Sequence, residues 1–107
     1  MKKKRLNINP QVYDDLSNIK EYISKDSAEQ ADKVIKEIVS AINDISDMPE
    51  KGANLQNKVR QKTRYKYLLV YKFAVLYYVG KDDIYVTLVM HTSKDLSALK
   101  LISPLND

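Results

Sequence analysis

The chain of 107 residues has no cysteine and no tryptophan, two glycines, three prolines and a single histidine. Without cysteine there is neither a disulfide framework nor a thiolate metal site. Two glycines cannot supply a Walker loop or a dinucleotide-binding fingerprint, both of which need several at fixed spacing. A lone His91 without His or Cys companions, among scattered carboxylates, leaves no metal site to expect and no cofactor. No apolar run approaches the roughly 18 residues needed to cross a bilayer. The opening Met1-Lys2-Lys3-Lys4-Arg5 has the charge of a signal-peptide start, but "LNINPQVYDDL" puts no apolar stretch behind it. The expectation is a cytoplasmic protein of one domain spanning residues 1–107, with no membrane partner.

Acid is missing from one stretch in particular. Residues 51–81 carry eight Lys or Arg and no Asp or Glu, whereas the remaining residues carry ten against fourteen. Within that stretch Lys58, Arg60, Lys62, Arg64 and Lys66 fall at every second position. Alternation in a strand places such side chains on one face, about 6.6 Å apart. A cationic ridge on a helix-free sheet face suits an anionic partner, nucleic acid or an acidic protein segment. The plainer alternative is an edge strand kept soluble by lysine.

The rest of the chain reads as an ordinary small fold. "KKKRLNIN" forms a short first strand. Asn9-Pro10 opens a helix, with Val12, Leu16, Ile19 and Ile23 on one stripe. Ser27-Ala28-Glu29-Gln30 fits a capping box for a second helix, buried through Ala31, Val34, Ile35, Ile38, Ile42 and Ile45 and ending before Pro49. Gly52 is the expected positive-φ position of the following loop. The period then switches to two, giving strands over residues 58–70, 73–79 and 84–91, with turns near Tyr71-Lys72 and at Gly80-Lys81-Asp82-Asp83. A short third helix runs from Lys94 to about Ile102. The expected class is α+β, in the order β-αα-βββ-(α): an antiparallel sheet with a helical hairpin packed on one face.

The candidate chemistry lies on the other face. His91 could exchange a proton near neutral pH, with Arg60, Lys62 and Arg64 holding a phosphate and its developing charge. Equally, His91 could be a packed histidine at a strand end. Tyr77 and Tyr78 are adjacent in a strand, so at least one faces the open side, where it could stack on a base.

Element order and spacing together resemble the RelE/ParE superfamily of toxins from type II toxin–antitoxin pairs. The likeness runs through "NPQVYDDLSNIKEYI" and the helix exit with Ile45, Met48, Pro49 and Gly52. It continues through "RYKYLL" and "FAVLYYV", and ends at the strand leading into His91 and Asp95. It implies a compact toxin neutralised by an antitoxin with an acidic C-terminal segment. Its target is implied to be mRNA at the ribosome, cut without metal, or DNA gyrase, bound without catalysis; a degenerate member that binds only its antitoxin is a third alternative. On the nuclease branch His91, Arg64 and Lys62 are the implied catalytic residues. Lys58, Arg60, Lys66, Tyr77 and Lys94 are then the expected nucleic-acid contacts. Thr92-Ser93-Lys94 departs from the family, which commonly places one or two Arg there, and no aromatic follows Tyr85.

Overall fold

The computed structural model describes residues 4–57 and 62–93. Strand β1 (Arg5–Ile8) leads into helices α1 (Pro10–Ser24) and α2 (Ala28–Ile45). Strands β2 (Ala53–Asn54), β3 (Lys66–Val70), β4 (Phe73–Val79) and β5 (Asp83–His91) follow. The expected third helix and the residues at 58–61 lie outside the described residues.

Both helices begin where their caps dictate. Asn9 sits in extended backbone and its Oδ1 accepts the Gln11 N–H at 2.9 Å, with Pro10 in the first turn. Ser27 Oγ accepts the Gln30 N–H at 3.1 Å, half of the capping box the sequence suggests. The apolar stripes of the two helices then meet the sheet. Val12, Ile19, Val34, Ile38, Ile42 and Ile45 pack with Phe73, Val75, Tyr77, Ile84, Val86 and Val89 in the main core.

The sheet has the order β1-β5-β4-β3-β2. It is mixed rather than wholly antiparallel, because β1 runs parallel to β5, pairing Arg5 with Asp83 and Ile8 with Val86. The connection between the two strands, through both helices and β2 to β4, is long enough for parallel pairing. A guanidinium–carboxylate pair fixes its start, with Arg5 Nε 2.7 Å from Asp83 Oδ1. One irregularity interrupts β4–β5. Leu76 faces Leu88 and Tyr77 faces Val86, so Thr87 is an extra residue, and its hydroxyl donates to the Leu76 carbonyl at 3.1 Å.

One expectation about backbone geometry is corrected. Gly52 has no positive φ; the one positive-φ residue among those described is Tyr71, at 55° in the turn between β3 and β4. Glycine at position 52 answers a different need. A Cβ there would stand 2.4 Å from the Tyr77 hydroxyl and 2.9 Å from the Tyr67 carbonyl, closer than real contacts allow.

The face of the sheet away from the helices is also not bare. Ala74, Leu76 and Met90 are buried there in a second cluster with Leu55 and Tyr65, flanked by Tyr67, Tyr78 and Leu88. The segment before β3 therefore folds back onto this face rather than projecting freely above it.

Candidate functional site

Ladder pairing in β3 begins only at Lys66, and residues 62–65 have no regular structure. The expected strand over residues 58–70 is thus shorter at its start. Alternation of charge imitates a strand, but pairing needs a partner and an apolar face, and these begin at "KYLLV". The segment is pinned at three points: Gln56 Oε1 accepts the Thr63 N–H at 3.0 Å, Thr63 Oγ1 accepts the Tyr65 N–H at 3.1 Å, and the Leu55 N–H donates to the Tyr65 carbonyl at 2.9 Å. With Tyr65 buried, Lys62 and Arg64 on either side of Thr63 are both exposed.

Arg64 reaches toward β4, its Nη2 3.5 Å from the Val79 carbonyl. Lys66 is more enclosed, with a side chain 14% exposed, and its ammonium is held by Asn54 Oδ1 at 3.0 Å and Glu50 at 3.4 Å. Both cations line one cleft at the end of the sheet, together with Lys4 and Lys81. Neither Lys4 nor Lys81 stands out in the sequence. The one lies within an N-terminal basic run and the other is a turn residue, and the parallel β1–β5 pairing brings them together.

His91 lies elsewhere. It ends β5 opposite Phe73, meeting that ring edge-on with centroids 5.3 Å apart. Its Nδ1 accepts the Ser93 N–H at 3.0 Å. Around it is a shallow cavity of about 440 Å³ between α1 and β5, lined also by Asp15, Tyr22 and Phe73. Asp15 is committed to structure there: one carboxylate oxygen accepts the Val89 N–H at 2.9 Å, beyond the point where β1 stops covering β5, and the other accepts from Gln11 Nε2 at 2.8 Å.

Arg64 is anchored near Val79 and His91 is paired with Phe73, six positions back along β4. At the rise of a strand, that spans about 20 Å. The structure therefore brings Arg64 and Lys66 together and keeps both apart from His91. A phosphate held by the cations could not also be within proton-transfer reach of the imidazole, which requires about 3 Å or one intervening water.

Tyr77 is corrected outright as a nucleic-acid contact. It is 0% exposed, on the helix side of the sheet. Its hydroxyl accepts the Gly52 N–H at 2.9 Å and donates to the Pro49 carbonyl at 2.9 Å, tying the loop after α2 to β4. Burial raises the phenol above its ordinary value of 10.0, against the opposing pull of the Gly52 N–H and with a smaller push from the Glu50 charge. Its neighbour Tyr78 takes the opposite face, stacked on Tyr85 at 4.8 Å and edge-on to Tyr65 at 5.3 Å. Lys58, Arg60 and Lys94 lie outside the described residues. Among the described residues no group of three or more His, Asp or Glu is placed to hold a metal ion, and no helix is long and apolar enough to cross a membrane.

Two packed helices beside a five-stranded mixed sheet define a ParE-like α+β fold. The solved structure of a chromosomal ParDE toxin–antitoxin system from P. aeruginosa is similar, with a TM-score of 0.65 at 17% identity, over 82% of this chain and 95% of that one. A family profile described as the ParE toxin of the type II toxin–antitoxin system parDE matches residues 6–96. The chain belongs to that family of toxins. No curated protein matches it in sequence.

Proposed function

We propose that this chain is the toxin of a ParDE-type pair that arrests growth by binding DNA gyrase, without cleaving RNA. The observation that carries the reading is the separation of Arg64 from His91 along β4. A metal-free ribonuclease needs its phosphate clamp and its acid or base on one scissile bond. Here the histidine is engaged with Phe73 and the Ser93 amide, and the cations serve a cleft at the far end of the sheet. Family membership over residues 6–96 supports the same branch.

The partner that goes with this role is a cognate antitoxin. The acid-free stretch over residues 51–81 would draw in an acidic, initially disordered segment, which makes association fast and sensitive to salt.

The discriminating variant is His91→Phe, which keeps an aromatic ring against Phe73 and removes the titratable nitrogens. Induced in cells without antitoxin, it should arrest growth as the wild-type chain does. Loss of arrest by a variant that still folds and binds antitoxin would overturn the gyrase reading in favour of the ribonuclease.

A further inference from the structure

Lys4, Arg64, Lys66 and Lys81 are far apart in sequence yet line one open cleft of about 560 Å³. Each arrives by a different route. Lys4 precedes β1 and is laid against the β4–β5 turn, its ammonium donating to the Gly80 carbonyl at 2.7 Å. Lys81 belongs to that turn, Arg64 leans on the Val79 carbonyl, and Lys66 opens β3. Among the described residues the one carboxylate in the lining is Glu50, already 3.4 Å from Lys66.

Like charges gathered around a concave surface raise its potential and favour an anion inside. We propose that this cleft is a phosphate-binding site, distinct from the His91 cavity at the other end of the sheet. Three features select phosphate. Glu50 offsets one cation and leaves a surplus that a single carboxylate would not match, whereas a phosphate group can carry more charge. Lys4 uses one ammonium N–H on Gly80 and keeps two, and a guanidinium presents a fork of donors, so a tetrahedral oxyanion can be met from several directions. Among the described residues the lining contains no aromatic ring to stack on a base. The site therefore holds the phosphate and is indifferent to sequence. Its source is either the backbone of a nucleic acid or a free phosphate compound.

The test uses the purified chain alone, so its outcome is independent of gyrase. Binding of a fluorescent DNA duplex is followed by anisotropy across a salt series for three folded proteins: wild type, Lys4→Gln/Lys81→Gln, and Lys33→Gln/Lys36→Gln. The last removes equal charge from the exposed surface of α2. The cleft variant should bind about tenfold or more weakly and lower the slope of log affinity against log salt by about 0.9, the value for one phosphate contact. The α2 variant should stay within about twofold of wild type. Inorganic pyrophosphate separates the sources: displacement of the duplex shows that free phosphate suffices, and failure to displace it assigns the site to the nucleic-acid backbone. The proposal is overturned if wild type binds neither probe or if the two variants lose affinity equally. It is likewise overturned if an oligoglutamate peptide of matched charge displaces the duplex better than pyrophosphate, which would make the cleft a peptide site.

Discussion

Replacing Tyr77 by Phe removes one oxygen atom and tests how the loop after α2 is held. The ring, at 0% exposure, stays in the core, so little apolar packing is lost. What is lost is the shared partner of the Gly52 N–H and the Pro49 carbonyl, each 2.9 Å from the hydroxyl. An unpaired buried donor costs about 1–3 kcal/mol. Gly52 is buried, so its N–H has no ready access to water, while Pro49 is partly exposed and can recover some solvation. The expected loss is about 2 kcal/mol, read as a lower urea midpoint with an unchanged slope. Gly52→Ala, whose Cβ would meet the same hydroxyl at 2.4 Å, should cost less in the Tyr77→Phe background than in wild type. Additive losses, or a Tyr77→Phe cost below about 0.5 kcal/mol, would refute the view that this phenol is the loop's anchor.

Other expectations follow from the same contacts. Because burial raises the Tyr77 phenol above 10.0, the unfolded chain releases that proton first. Its contribution is complete below pH 10 and fades as pH rises toward the folded value, so Tyr77→Phe should flatten the alkaline loss of stability in denaturation curves. The Arg5 hydrogen bond, with help from Asn7 and Tyr85, holds the Asp83 carboxyl below its ordinary 3.8. Stability from that pair is present above 3.8 and lost as pH falls through the lower folded value. Arg5→Gln should therefore move the acid-unfolding midpoint, followed by circular dichroism, to higher pH. Asp15→Ala strips the Val89 N–H of its acceptor and should cost about 1–3 kcal/mol in urea unfolding. Tyr71→Gly relieves a φ of 55° and should stabilise by up to about 1 kcal/mol in thermal melts. A loss instead would mean that the Tyr71 side chain, whose phenol Glu37 holds above its ordinary value, contributes more than the backbone strain costs.

Local signals were the legible ones. Asn9-Pro10 and Ser27 mark the two helix starts because a cap is a short-range device, written in consecutive residues. Ala31, Val34, Ile38, Ile42 and Ile45 are buried as their spacing requires, with Ile35 only partly buried beside them. The turn at Tyr71-Lys72 falls where strand length demands one, although a tyrosine rather than a glycine takes the left-handed position. Partner choice was not legible. A strand as short as Arg5–Ile8 carries no mark of whether it pairs in parallel, and that pairing is what brings Lys4 to Gly80. The basic alternation before Lys66 has a strand's period without a strand's apolar face, so it overstated the length of β3. Tyr77 and Tyr78 were known to face opposite ways, but which one faces inward depends on register with β3 and β5.

The most direct test of the proposed role is DNA supercoiling by purified gyrase with the toxin added in excess, run beside a ribosome-programmed message. Inhibited supercoiling with an intact message is the predicted result. Undisturbed supercoiling, together with a message cut in the presence of ribosomes, would contradict it.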